Sequence, residues 1–278
     1  DRGIEVREWE IDPVTGLLNP EDLEGLLDEN VRLVCFPHCS NVVGHINPVT
    51  EITALAHASG AFVCVDGVSY APHGFADVGA LGPDIYLFSA YKTYGPHQGL
   101  MVIRRALGEL LPNQGHYFNE DTLYKRFTPA GPDHAQIAAC AGMADYVDAL
   151  YDHHFSKSAK PVERGVAVHD LMRSHETELL DQVLSAVQGR NSVRVLGTLD
   201  AQTRAPTVAM ALNRPAEPVA AKLAKLGIMT GGGDFYAVRA LEALGIDPTK
   251  EGVLRVSFTH YTSQGEIDQL LEGLDHVL

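Results

Sequence analysis

The chain has 278 residues, 21 of them Lys or Arg and 36 Asp or Glu, for a net charge of -15 at neutral pH. That excess of carboxylates works against nucleic acid and anionic membranes as partners and leaves a small molecule as the expected one. No apolar run approaches the roughly 18 residues that span a bilayer, the polar opening DRGIEVREWE lacks the layout of a secretory leader, and four cysteines are too few for a disulfide framework, so a cytoplasmic location is expected.

Taken in chain order, the first half alternates short apolar runs with helical patterns. VRLVCF, AFVCVDG, DIYLFS and GLMVIRR read as buried strands. Between the first two, PVTEITALAHASG reads as a helix: Pro48 suits its start, Ile52, Leu55 and Ala56 recur at helical spacing, and Gly60 ends it. Such alternation predicts an α/β fold with a mainly parallel sheet and helices on its faces. From about residue 134, HAQIAACAGMADYVDALYDHHF is helical and leads through Lys160-Pro161 into a second long helical pattern ending near Gln188. Strand-like SVRVLG, APTVAMAL and GVLRVSF follow, interleaved with helical PAEPVAAKLAKLG and GEIDQLLEGLDHVL. The expected organisation is a large domain over 1–154, including the start of the connecting helix, and a smaller α/β domain over 155–278.

The polar residues that matter sit at the ends of the first-half strands. In open α/β sheets ligands bind beyond the carboxyl ends of the strands, so Asn41, Asp66, Ser69, Ser89 and Lys92 are expected to converge on one cleft. Asp66 closes a mostly apolar run, where an ionised carboxylate calls for a nearby positive charge such as a protonated heterocyclic nitrogen. Lys92, set among hydroxyls in FSAYKTYGPH, is the natural covalent partner of an aldehyde. The hydroxyls of Ser89 and Tyr91, with loop amides, suit a phosphate. Aldehyde, pyridinium and phosphate together describe pyridoxal 5'-phosphate.

SNVVG, VDGVSYAPH and SAYKTYGPH give the stretch from Val31 to Ile103 a dense resemblance to the class V aminotransferase family, and most closely to its cysteine desulfurase-like branch. The resemblance implies the pyridoxal-phosphate-dependent transferase fold type I. It makes Lys92 the Schiff-base lysine, Asp66 the partner of the pyridine nitrogen and Ser89 a phosphate ligand, with Ser69 and Tyr91 also at the cofactor. Asn41 is expected to reach the cofactor's phenolic oxygen or the substrate carboxylate. Arg255, in LRVSFTHYT, matches the arginine that clamps the α-carboxylate, a task for a planar two-point donor. A homodimer acting on a small amino acid is implied, with amino transfer as the main reading. Its alternatives are β-elimination by a carbon-sulfur lyase, or a truncated non-catalytic remnant.

Departures from the family pattern narrow the expectation. IMTGGGDFYAV has no cysteine where desulfurases carry a reactive one, so a persulfide-forming cysteine desulfurase is not expected. Tyr91 and Ser69 stand where His, or Gln or His, are common, and Gly131 where many relatives have a threonine, with Thr128 a possible stand-in. The chain is expected to lack about a hundred residues at the family's N-terminus, nearly the length of a small domain. His73 and His97, each beside Pro or Gly, have either acid-base or structural roles. Cys35, Cys64 and Cys140 lie in apolar runs and read as small hydrophobes, which leaves Cys39 as the loop thiol of interest. CFPHCS lacks a second ligand pair, DHHFSK reads as solvated histidines at a helix end, and TGGGD lacks the Lys-Ser/Thr pair of a phosphate loop; no metal is expected.

Overall fold

The computed structural model describes residues 3–128 and 131–278, which form two compact units. One comprises Glu29–His38 and residues 49–128 and 131–168, the other residues 3–28, Cys39–Pro48 and His169–Leu278. The change of unit near residue 168 falls inside the helix Pro161–Val187, not in the linker after His154.

The first unit is built on four strands, β1 (Leu33–Pro37), β2 (Phe62–Asp66), β3 (Ile85–Ser89) and β4 (Gly99–Ile103), in that spatial order. β1, β2 and β3 are parallel, and β4 runs antiparallel to β3. The reversal has a local cause: the link from β3 to β4 is too short for a parallel crossover, which takes a dozen or more residues. Helix Val49–Ala58 buries Val49, Ile52, Thr53 and Ala56, one face at helical spacing. Gly60 ends it with a φ of 82°, and Ala61 N–H returns to Ala56 O. Buried Asp84 ties the helix end to the sheet by accepting from His57 Nε2 and from Val63 N–H, both at 2.8 Å.

Burial in this sheet alternates with the pleat. Val34, Phe36, Val63, Val65 and Tyr86 are buried, whereas Leu33 is 51% and Phe62 37% exposed on the opposite face. Cys35, Cys64 and Asp66 share that more open face with Leu33 and Phe62 by their two-residue period.

The second unit holds a wholly antiparallel sheet, β5 (Val193–Val195), β6 (Thr207–Leu212), β7 (Gly231–Gly233) and β8 (Val253–Ser257), ordered β5-β6-β8-β7. Val208, Met210, Leu254 and Val256 point to one side. There they meet Leu180, Val183 and Leu184 of the long helix, Leu223 of helix Glu217–Lys225 and Leu270 of helix Gln264–Val277. Ala209 and Val253 point to the other side and pack with Val42, Val43, Leu241 and Leu244. Arg255 pairs with Ala209 in register, so its side chain belongs to this second face. Among the described residues no helix is long and apolar enough to cross a membrane.

Candidate active site

Asp66 and Ser89 are the last residues of the neighbouring parallel strands β2 and β3. Asp66 is in register with Leu87, two residues before Ser89, so both side chains leave the same face at the carboxyl end of the sheet. Lys92 closes the single turn Ala90–Lys92 that follows Ser89. Fully buried Thr93 anchors that turn, its hydroxyl donating to Ser89 O at 2.9 Å and its N–H to Ala90 O at 2.7 Å. Tyr94, left-handed at a φ of 62°, gives its hydroxyl to Pro72 O. The lysine is thus held by anchors on its own loop while its amine stays exposed.

Several polar groups here have no hydrogen-bond partner among the described residues: the Lys92 amine, the hydroxyls of Ser69, Ser89 and Tyr91, and Asp66 Oδ2. Asp66 Oδ1 accepts Val68 N–H, at 2.9 Å. An amine for an aldehyde, a carboxylate for a protonated ring nitrogen and hydroxyls for a phosphate make a donor set that fits pyridoxal 5'-phosphate. The sequence reading of Asp66 as a carboxylate at a buried mouth needs changing. Its side chain is exposed, because Val63 and Val65 take the buried face of β2. Tyr91 stacks on His97 with ring centroids 4.7 Å apart and planes 8° from parallel, and Lys92 Nζ lies 5.9 Å from the Tyr91 ring centroid. His73 is buried in the turn Ala71–His73.

Arg255 and Asn41 belong to the other unit and are joined there. Arg255 Nη1 donates to Asn41 O at 2.9 Å, and Asn41 Nδ2 donates to Phe235 O at 2.8 Å. Ser40 Oγ braces the turn by accepting from Val42 and Val43 N–H. Arg255 is half-buried and has no acidic partner among the described residues, and burial pulls its pKa down from the ordinary arginine value. Its Nε and Nη2 make no hydrogen bond among the described residues. Phe235, whose ring centroid lies 3.9 Å from the guanidinium carbon, entered the sequence reading only as part of IMTGGGDFYAV, the stretch without a cysteine. The available signal was Asp234, whose Oδ1 accepts Tyr236 N–H at 2.9 Å in a side-chain-closed turn.

The cysteines exchange the roles read from the sequence. Cys39 is buried, 2% exposed, and burial pushes its pKa up to about 12. Cys35 is exposed and in register with Cys64 on the neighbouring strand. The hydrogen bond from Cys64 lowers the Cys35 pKa to about 7 and raises that of Cys64 itself. Iodoacetamide at neutral pH should therefore modify Cys35 first, with a rate midpoint near pH 7, and Cys64→Ala should move the midpoint toward the ordinary 9.0. A midpoint indifferent to Cys64→Ala would remove the pairing. Thr128 donates its hydroxyl to Tyr124 O, and Pro129 and Ala130 beside it lie outside the described residues. Among the described residues no three His, Cys, Asp or Glu side chains group as a metal site.

Two neighbouring parallel strands ending in a carboxylate and a hydroxyl, a lysine on the turn beyond, and a smaller antiparallel sheet domain define the pyridoxal-phosphate-dependent transferase fold type I, with a mixed main sheet and helices on its faces. The aminotransferase class-V family matches residues 1–270, and the chain belongs to that family; pyridoxal 5'-phosphate is its cofactor. It is similar to the aminotransferase-like protein FGM3 of Gibberella zeae, 34% identical over 270 residues, covering 94% of this chain and 63% of that one. It is also similar to the cysteine desulfurase of Dickeya dadantii, 32% identical over 292 residues, covering 99% of this chain and 64% of the relative. The apo structure of the cysteine desulfurase from Thermococcus onnurineus NA1 superposes with a TM-score of 0.82 at 22% identity, over 99% of this chain and 66% of that one.

Two expectations are corrected by these comparisons. The family matches from residue 1, and relatives align over 93% to 100% of this chain, so the reading of a member lacking its first hundred or so residues is withdrawn. The measured fact is that the chain spans 63% to 66% of the length of the first curated relatives it matches. The exclusion of persulfide-forming desulfurases is overturned as well, since cysteine desulfurases align with this chain at 29% and 32% identity over nearly all of it. The exclusion rested on one side chain in one loop, whereas the likeness to the cysteine desulfurases extends over nearly the whole chain.

Proposed function

We propose that the chain serves a pyridoxal-phosphate-dependent enzyme that breaks a carbon-sulfur bond in a small α-amino acid. The observation that carries the amino-acid part is Arg255, a half-buried cation whose Nε and Nη2 make no hydrogen bond and which has no acidic partner among the described residues. A planar fork left open in that way suits an α-carboxylate. The sulfur part is supported by the cysteine desulfurases among the relatives. Amino transfer is the second reading, favoured by the name of the 34% identical FGM3.

Bound to this chain, the cofactor would supply an aldehyde that captures amines and a protonated ring that draws electrons from the substrate's α-carbon. Lys92 would hold it through the side-chain amine and, once displaced by the substrate amine, take the α-proton on Nζ. Asp66 would keep the proton on the ring nitrogen through its free carboxylate oxygen. Ser89, Ser69 and Tyr91 would serve the phosphate end. Asn41 and Arg255 would orient the substrate, Arg255 by its carboxylate. A homodimer belongs to the same reading, and a monomer in sedimentation would remove it.

Incubation of the cofactor-loaded protein with L-cysteine and excess reductant should release sulfide in steady turnover. Amination of a keto acid without sulfide would favour amino transfer, and neither product would leave a binding protein without catalysis. Arg255→Lys tests the carboxylate grip. It keeps the charge and loses the fork, a charge-assisted contact worth about 1.5–3 kcal/mol, so α-amino acids should bind about ten- to a hundredfold more weakly while simple amines bind as before. Equal weakening of both would make Arg255 a structural strand residue.

A further inference from the structure

Two consecutive aromatic residues, Phe235 and Tyr236, hold left-handed backbone, with φ of 53° and 60°. Bulky side chains rarely adopt that conformation, and it persists only where the surroundings over-determine it. Here the turn is closed by Asp234, whose carboxylate accepts Tyr236 N–H and whose carbonyl accepts Ala237 N–H, each at 2.9 Å. Tyr236 emerges fully exposed. The conformation therefore serves Phe235, not its neighbour.

Phe235 is engaged at both its ring and its carbonyl. The ring lies 3.9 Å from the Arg255 guanidinium carbon, and it sits so close over Gly231, the register partner of Arg255, that a Cβ there would come within 2.6 Å of it. The carbonyl accepts from Asn41 Nδ2, and Asn41 O accepts from Arg255 Nη1. Three residues far apart in sequence thus close a circuit: ring to guanidinium, guanidinium to Asn41, Asn41 to Phe235. We propose that Phe235 is a positioning residue for Arg255, its ring covering one face of the guanidinium and its carbonyl fixing Asn41, so that Nε and Nη2 remain set for a ligand carboxylate. This rests on the reading of Arg255 as the carboxylate grip. A ring over one face also directs ligands to the edge of the fork, which favours a planar carboxylate met in two-point fashion.

The test compares Phe235→Leu, Phe235→Tyr and Arg255→Lys. Holoprotein is titrated with L-alanine and with ethylamine, and binding is followed by the cofactor's absorbance. Phe235→Leu should weaken L-alanine about three- to thirtyfold, the range of a cation-π contact from exposed to desolvated, and leave ethylamine unchanged; Phe235→Tyr should keep both affinities. In side-chain nitrogen-proton spectra of the cofactor-free chain, the Arg255 Hε signal, identified by its loss in Arg255→Lys, should sit upfield under the ring and return downfield in Phe235→Leu. Unchanged L-alanine binding, equal weakening of both ligands, or a stationary Arg255 signal would overturn the proposal. If Arg255→Lys discriminates between the ligands and Phe235→Leu does not, only the role of Phe235 falls; if Arg255→Lys does not discriminate, the carboxylate reading falls with it. Should Phe235→Leu fail to fold, Phe235→Met is judged by the same comparison.

Discussion

Replacing Lys92 by alanine should lower turnover of every substrate by at least about 10²–10⁴, the range for loss of a positioned acid-base group, with the loss of the covalent anchor added to it. The effect should not depend on the substrate, because the amine acts on the bond common to all of them. Borohydride reduction of the cofactor-loaded wild type should fix a pyridoxyl group on the peptide that contains Lys92, and the variant should lose that label. The fold should survive, since Lys92 is exposed and its amine makes no hydrogen bond among the described residues, while the turn is held by Thr93 and Tyr94. Label confined to other lysines, or a variant that turns over normally, would move the chemistry elsewhere.

Gly67→Ala should be the most damaging substitution for stability near the site. A Cβ at Gly67 would lie 2.2 Å from two ring carbons of Tyr86 and 2.3 Å from its hydroxyl oxygen. Tyr86 has no room to retreat: it is 2% exposed and its hydroxyl lies 2.8 Å from His38 Nδ1, while the His38 ring stacks on Tyr70 at 3.7 Å. Overpacking of a core costs about 1–3 kcal/mol, and breaking a buried hydrogen bond adds a comparable amount, so about 2–5 kcal/mol is expected. Thermal melting should fall by roughly 5–15 °C, and Tyr86→Leu placed in the same chain should recover part of it. A variant that melts with the wild type would show that the ring can move aside. Since Gly67 follows Asp66 directly, any shift should also reach the carboxylate.

What the sequence made legible was whatever local pattern decides. The apolar runs at 33–37, 62–66, 85–89 and 99–103 are strands, and placing Asp66, Ser89 and Lys92 at strand ends needed only their position after those runs. Which face of a strand is buried is decided by what packs on it, so the exposure of Asp66 and Cys35 and the burial of Cys39 lay beyond reach. Arg255 was legible as a residue type, but its partner Asn41 is 214 positions away. Phe235 and Tyr236 carry no Gly or Asn to announce a left-handed backbone. The excursion of Cys39–Pro48 into the other unit left no mark in composition either.

The register of Cys35 with Cys64 bears on how sulfur must be counted. An exposed thiol half-ionised near pH 7 reacts with alkylating agents, disulfides and sulfane sulfur without any catalysis. Sulfur trapped on the protein after incubation with cysteine, or thiols lost from a titration, would therefore include a contribution at Cys35 proportional to protein concentration. A Cys35→Ser chain lacks that contribution, so its own signal gives the stoichiometry of the reaction itself.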